Sequence, residues 1–374
     1  MNEHKRIAHF GIKYYPSQGG SSRVAELLVQ QGKEYQEVTI YCYKTPHLTT
    51  EHLRGVRVIQ MPSFPFGNAG VFLYYALCCL HLCLFGQYDL IHVHKTDSAF
   101  FIPFLRLKGR VLATSQEAPY RRDKWGVIGK QYFKLMERLF VYSGATLTAV
   151  SKPLTEYYQR RYGKPVHFVP NFVDIQPEYD DAGAEDILRT HGVAGDYLLF
   201  SARRIMATKG CHTMLKALRK INYQGPVVIV GQDSHAPEYS RQLKTLAAGL
   251  NVTFVGYVAS KPILMSLVSK ASYFIFPSEN EGMSLMLLEV ASTGTPIVGS
   301  DIPENNTVFT DREVLFFKDK SAEDLAGKLK WALGHPEKMG EKAASAQQKV
   351  KKHYGARVVA EQYFQLYESP FVNA

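Results

Sequence analysis

The segment that most restricts how this chain can fold is residues 273–298. An apolar quartet, Tyr273–Phe276, is followed by a polar turn, Pro277-Ser-Glu-Asn-Glu281, and then by an apolar helical run from about Gly282 to Ser292. Gly294 stops the helix, and a Pro296-led pair, Ile297-Val298, resumes an extended strand. A strand that reaches its next strand through a helix belongs to a parallel sheet with helices on its faces. Glu281 stands just before this helix and Glu289 two turns in. Treated as eight residues of helix, the two carboxylates are separated by a rise of about 12 Å and a rotation of about 80°, so both look to one broad side. The free N–H groups of a helix N-terminus lie between them and attract anions. Two glutamates on a helix usually mark a solvated face. This helix is otherwise apolar (Met283, Leu285, Met286, Leu287, Leu288, Val290), and a carboxylate in such surroundings needs a partner.

The same alternation runs through the whole chain. Residues 6–12 form a first strand, the turn Ser17-Gln-Gly-Gly-Ser-Ser-Arg23 follows, and a helix pattern begins at Val24. Further strands are expected at 38–43, 56–60, 88–94, 110–114, 147–150 and 166–169, with helices between them. Pro170-Asn-Phe-Val-Asp174 closes this first series, and the acidic run Gln176–Asp186 reads as the crossing to a second. There, strands are expected at 197–201, 227–230, 252–255 and 273–276, and the chain is helical after Phe316 to about Tyr367. At 374 residues the chain is too long for one ordinary core. The expected organisation is α/β: two doubly wound, Rossmann-like domains, 1–172 and 173–354, facing a cleft, with 355–374 returning as a helix to the first. In such sheets ligands sit beyond the carboxyl ends of the strands.

Motif chemistry narrows the function. Gly19-Gly20 would let a phosphate approach the backbone at a helix start, but no G-x-G-x-x-G follows the first strand and no G-x-x-x-x-G-K-[ST] occurs. These absences argue against a dinucleotide dehydrogenase and a P-loop nucleotidase. Arg204 and Lys209, on the turn after strand 197–201 with Gly210 opening the next helix, supply two cations and a helix N-terminus, a set suited to a diphosphate.

Charge is unevenly placed. Residues 1–170 hold 22 Lys+Arg against 11 Asp+Glu, a balance of +11, and the remainder holds 22 against 23, a balance of −1. Beside the basic run (Arg106, Lys108, Arg110, Arg121, Arg122, Lys124, Lys130, Lys134) lies an apolar helix at 69–85. This is read as a domain helix with one face open to lipid rather than a membrane span. Each cation near an anionic bilayer adds about 1 kcal/mol, which makes a membrane surface the expected partner of this half. Nucleic acid is not, since no binding motif accompanies the charge. Five cysteines without a signal peptide point to unpaired thiols in a cytoplasmic setting. Cys79, Cys83 and His81 read as helix packing rather than as a metal site.

Taken together, Arg204-x-x-x-x-Lys209-Gly210, Val255-Gly256-Tyr257 and Pro277-Ser-Glu-Asn-Glu-Gly…Glu289-x-x-x-x-Gly294-Thr-Pro296 resemble the retaining GT-B glycosyltransferases of family 4. Pro16-Ser-Gln-Gly-Gly20, Asp89-Leu-Ile-His-Val-His94, Val150-Ser151 and Pro170-Asn171…Val173-Asp174 extend the resemblance over nearly the whole chain. It implies transfer of a sugar from a nucleoside-diphosphate donor, UDP or GDP type, to a glycan or lipid-linked acceptor in cell-surface polysaccharide or lipopolysaccharide synthesis. The protein would be attached peripherally to the inner face of the cytoplasmic membrane. By position, Glu289 would bind the ribose hydroxyls. Glu281 and the backbone of Gly282, Met283, Ser284 and Leu285 would hold the sugar, and Arg204 and Lys209 would neutralise the leaving diphosphate. Tyr257 would meet the base, and Gly19 and Gly20 would close on the donor from the first domain. No cofactor or metal is implied, and the sequence has no Asp-x-Asp. The family often carries a histidine where Gln116 stands, followed here by Glu117. Glutamine cannot take a proton at neutral pH, so the acceptor-side roles of His94, Gln116 and Glu117 stay open. A non-catalytic nucleotide-sugar-binding subunit and a GT-B nucleotide-sugar epimerase are the alternatives.

Overall fold

The computed structural model describes residues 5–46, 48–118, 126–232 and 237–369. Arg121, Arg122 and Lys124 of the basic run lie outside them. The chain divides into two compact units, one formed by Met1–Phe172 with Ala356–Ala374, the other by Val173–Gly355.

The first unit is built on seven parallel strands: β1 (Lys5–Phe10), β2 (Gln36–Tyr43), β3 (Val56–Met61), β4 (Leu90–Val93), β5 (Arg110–Ser115), β6 (Thr146–Ala149) and β7 (His167–Phe168). Their order is β3-β2-β1-β4-β5-β6-β7. Strand side chains alternate between faces, and neighbouring residues of β2 show it. Ile40 packs with Ala25 and Val29 of the Ser21–Gly32 helix. Tyr41, on the other face, belongs to the core that also holds Tyr74, Cys78, Phe101 and Phe140. The last helix, Ala356–Glu368, lies against the Ser21–Gly32 helix.

The apolar helix runs from Gly67 to Phe85 and buries Tyr74, Tyr75, Cys78 and Leu82. By length and composition it could cross a membrane. It is nonetheless tied to the sheet, because the Tyr74 hydroxyl donates to the carbonyls of Ile12 (2.7 Å) and Tyr41 (3.1 Å). The five cysteines are free, and Cys42, Cys78, Cys79 and Cys211 are buried.

The second unit has six parallel strands: β8 (Leu198–Arg204), β9 (Val227–Gln232), β10 (Val252–Gly256), β11 (Tyr273–Phe276), β12 (Ile297–Ser300) and β13 (Leu315–Phe317). Their order is β10-β9-β8-β11-β12-β13. Both sheets therefore reverse their winding beside the first strand of the unit, between β1 and β4 and between β8 and β11. Such a reversal opens a crevice at the carboxyl ends of the strands.

Three local expectations are corrected. The run Gln176–Asp186 is not a crossing: Asp181–Thr190 is a helix whose N-cap, Asp180, accepts from the Gly183 amide at 2.8 Å. Acidic residues in a first turn favour the helix dipole, so acidity here marks a helix start rather than a loop. The helix after β11 begins at Leu285, not Gly282, because the Ser284 side chain caps it by accepting from the Leu287 amide. Glu281 therefore precedes the helix by a full turn, and the eight-residue helical spacing from Glu281 to Glu289 does not apply. Finally, β8 continues to Arg204, which pairs with Gln232 after an irregularity in register, so Arg204 ends a strand rather than sitting on the turn.

Candidate active site

The crevice beside β8 is built by two turns that lock into each other. Residues 207–209 form a short 3-10 turn after β8, and Gly210 caps the Cys211–Lys220 helix at φ 68°. A Cβ at Gly210 would lie 1.8 Å from the Pro277 carbonyl oxygen. Only glycine allows both that backbone conformation and that approach. The Glu279 amide donates to the Thr208 carbonyl at 2.9 Å, joining the turn after β8 to the turn after β11.

This join brings the predicted charges together. Lys209 Nζ donates to Glu281 Oε1 at 2.5 Å, and both side chains are largely shielded. Ser278 Oγ donates to the same oxygen at 2.6 Å. The Ser278 carbonyl accepts from Ser300 Oγ at 2.5 Å, and Asn305 Nδ2 donates to the Ser300 carbonyl at 3.0 Å. Ser278, Ser300 and Asn305 are all buried, so the carboxylate of Glu281 is held from beneath by a fixed polar chain running across β11 and β12. Burying a carboxylate demands such partners.

Glu289, on the helix Leu285–Thr293, pairs with Lys261 at 2.5 Å. Arg204 is exposed at the end of β8, and among the described residues its guanidinium has no ion-pair partner. Glu279 lies 3.6 Å from both His212 Nε2 and Lys320 Nζ. Burial, with Lys216 nearby, lowers the His212 pKa, which leaves Lys320 as the cation at neutral pH. Tyr257 follows β10 immediately, half-exposed at 50%, behind Gly256 at φ 81°. Gly282, Met283 and Ser284 form the link into the capped helix, with Met283 buried.

In the first unit, Gly19 and Gly20 adopt φ 106° and 60°, and Gly20 caps the Ser21–Gly32 helix. The preceding loop is pinned by buried Glu26, which accepts from Ser17 Oγ at 2.6 Å and from Arg23 Nη1 at 2.8 Å. His94 is 1% exposed and shares a 2.8 Å hydrogen bond with His9 Nδ1. With His92 these residues form a stacked cluster whose ligand atoms converge within 4.8 Å. Both nitrogens of His92 are already engaged, by the Tyr367 hydroxyl (2.8 Å) and by Thr114 Oγ1 (2.7 Å). The donor set is thus spent on the fold rather than directed at a metal. Burial drives the His9 pKa down to about 3, and holds His92 and His94 well below the ordinary histidine value. Gln116 and Glu117 follow β5, half-buried, and Gln116 Nε2 has no partner among the described residues.

Lys261, Ser278, Ser300, Asn305 and Glu279 were not anticipated. Ser278 alone left a trace in the sequence, since a serine three residues before a glutamate, within a turn, can reach its carboxylate. Lys261 lies far upstream on its own helix, and its proximity to Glu289 follows only from packing.

Two parallel sheets, each with a winding reversal beside a glycine-bearing helix start, define the GT-B class of glycosyltransferase folds. The chain matches two family descriptions end to end: "Glycosyltransferase Family 4" over residues 18–177 and "Glycosyl transferases group 1" over residues 185–353. It belongs to the family 4 GT-B glycosyltransferases.

Among curated relatives, a D-inositol 3-phosphate glycosyltransferase of Jonesia denitrificans is 27% identical over 282 residues, 67% of this chain and 64% of the relative, just under two thirds of its length. An alpha-monoglucosyldiacylglycerol synthase of Streptococcus pneumoniae is 24% identical over 88% of this chain and 78% of its own. The solved structure of Anabaena HepE in complex with UDP and glucose superposes with a TM-score of 0.79, 16% identity, and coverage of 98% and 100%. At that identity the likeness carries the fold.

Proposed function

We propose that this protein transfers a sugar from a nucleoside-diphosphate sugar to a lipid-linked or glycan acceptor, with retention at the anomeric carbon. The observation that supports this best is the Lys209–Glu281–Ser278 constellation, held at the carboxyl edge of the second sheet by Gly210 against Pro277. Arg204 and Lys209 face the donor diphosphate, and their charge stabilises the leaving group as the bond between the anomeric carbon and the phosphate oxygen breaks. Glu281, fixed by Ser278, accepts from hydroxyls of the donor sugar and sets its orientation. Glu289 accepts from the ribose hydroxyls through the oxygen that Lys261 leaves free. Tyr257 borders the base.

The acceptor hydroxyl attacks the same face of the sugar from which the diphosphate departs. Its proton passes to the departing phosphate oxygen, so no histidine is required at Gln116. A nucleoside diphosphate and a glycoside with the donor's anomeric configuration are the products. A UDP or GDP donor suits the site, and the UDP bound by HepE favours the former. The relative named a monoglucosyldiacylglycerol synthase favours a lipid acceptor, whose product would lie in the cell envelope.

The test is direct. The protein is incubated with UDP-, GDP- and CDP-sugars, with and without membrane lipid extract, and released nucleotide and glycosylated lipid are measured. Acceptor-dependent release with one nucleotide class, and an unchanged anomeric configuration by NMR, are expected. Sugar interconversion without any acceptor would favour an epimerase instead. Donor binding without turnover under all conditions would favour a non-catalytic subunit.

A further inference from the structure

The ion pair between Lys261 and Glu289 stands on two helices whose places are fixed by other bonds. Glu289 belongs to the Leu285–Thr293 helix, where its neighbours Leu287, Leu288, Val290 and Ala291 are buried. Among the described residues, Lys261 is the only ion-pair partner of its carboxylate, with Nζ 2.5 Å from Oε2. Lys261 opens the Lys261–Ser269 helix, which packs on the Leu285–Thr293 helix. Ser260 caps its start by accepting from the Ile263 amide at 3.4 Å, and the Pro262 carbonyl accepts from the Asp180 amide at 3.3 Å. At its far end the Val268 carbonyl accepts from Thr295 Oγ1 at 2.8 Å, just beyond the helix that carries Glu289. The backbone beneath both charges is thus held without the pair.

The pair also stays within reach of a ligand. The Lys261 and Glu289 side chains are 37% and 14% exposed. Lys261 closes the loop that leaves β10, and that loop carries Tyr257. A cation and an anion side by side suit a hydroxyl, which both donates and accepts. A carboxylate only accepts; an ammonium only donates, and it has three N–H groups, of which one serves the pair. Glu289 by itself can take the hydroxyl proton of a sugar but leaves the hydroxyl oxygen without a donor once water is displaced, and an unmet polar group costs affinity.

We propose that Lys261 is a second ribose-recognition residue. Glu289 accepts from a hydroxyl of the ribose, and the Lys261 ammonium donates to the oxygen of that hydroxyl or of its vicinal neighbour, so the pair reads the diol as a unit. The inference rests on the reading that the donor ribose lies at Glu289, and what it adds is the lysine. It also joins the loop that borders the base to the carboxylate that holds the ribose.

Isothermal titration calorimetry of the full chain with UDP, GDP and the 2′-deoxy and 3′-deoxy form of each tests it, on the wild type, Lys261→Met and Lys261→Arg. For the nucleotide that binds, the wild type should prefer the ribose form over at least one deoxy form. Lys261→Met should lower that preference about ten-fold, the worth of a hydrogen bond to a charged group, while its affinity for the deoxy form stays within about two-fold of wild type. Unchanged deoxy affinity also shows that the variant is folded, and Lys261→Arg should restore part of the preference. An equal loss for ribose and deoxy forms would overturn the proposal, since the lysine would then act only as a general attraction for the diphosphate. So would an unchanged preference, or a tighter grip on the ribose form in Lys261→Met, which would make the lysine a competitor for Glu289. A wild type that binds a nucleotide but ignores its ribose hydroxyls would overturn this inference and leave the donor reading standing. Failure to bind either nucleotide in any form would remove the donor reading, and this one with it.

Discussion

Both units reverse their winding beside their first strand, yet the groups at the two reversals are opposite in character. Beside β8 the second unit sets charge against charge, with Lys209 on Glu281 and Lys261 on Glu289, and leaves Arg204 exposed. Beside β1 the first unit stacks His9, His92 and His94, all buried and all kept neutral by burial. One crevice gathers ion pairs and an exposed arginine at its edge. The other uses its polar groups to fasten the last helix through Tyr367 and turns an apolar layer outward. The same architecture therefore does not dictate the chemistry, which lies in the side chains carried by the turns.

The sharpest way to break this contrast is at Glu281. Glu281→Gln keeps the shape and removes the charge, and steady-state transfer should fall by about 10²–10³-fold in kcat. Turnover within a few-fold of wild type would reduce Glu281 to a structural partner of Lys209.

The next largest effect is on stability. Gly210→Ala must place a Cβ against the Pro277 carbonyl in a left-handed conformation, which should cost the second unit about 3 kcal/mol. Urea unfolding followed separately for the two units should show only the second displaced. A loss below about 0.5 kcal/mol would mean that the two turns are not locked as described.

Acid should act on the other unit. The histidine pKa values are lowered in the folded state, so the unfolded chain binds more protons as pH falls. Stability is therefore fully present above the ordinary value of 6.5 and is lost as pH falls below it, toward about 3 for His9. For His9 this amounts to about 1.4 kcal/mol per pH unit within that window, and His92 and His94, also lowered by burial, act in the same direction. Lys95 beside His94 acts in the same direction. Melts from pH 7.5 to 5 should show the first unit losing stability first, and a flat profile would contradict a neutral cluster.

The smallest effect is expected at Ser278. Ser278→Ala removes one of two donors to Glu281 while Lys209 remains, so kcat should fall about ten-fold, or about 1.4 kcal/mol, with little change in donor KM. A rise in KM alone would assign Ser278 to ground-state binding instead.

Much of this was legible in the chain. Buried runs such as Tyr273–Phe276 and Ile7–Phe10 are strands in any parallel setting, and their ends fall within a few residues of expectation. Gly294 stops its helix at φ 80° as read. The helix start was misplaced because Ser284, not Gly282, offers the capping oxygen, and capping is decided by one side-chain hydrogen bond that apolar periodicity does not register. The acidic run at 176–186 was misread for the same reason, since Asp180 is a cap.

The sequence by itself placed Arg204, Lys209 and Glu281 at the strand–helix junctions where a parallel sheet gathers polar groups, and Glu289 on the helix that follows. How they are paired was decided only by the tertiary structure. Lys209 meets Glu281 across 72 positions because the turns after β8 and β11 are adjacent in a sheet whose strands are not consecutive in the chain, and Lys261 meets Glu289 because the helices Lys261–Ser269 and Leu285–Thr293 pack on each other. Local propensity sets where a strand ends. Strand order, fixed by the winding of helices over the sheet, sets which ends become neighbours.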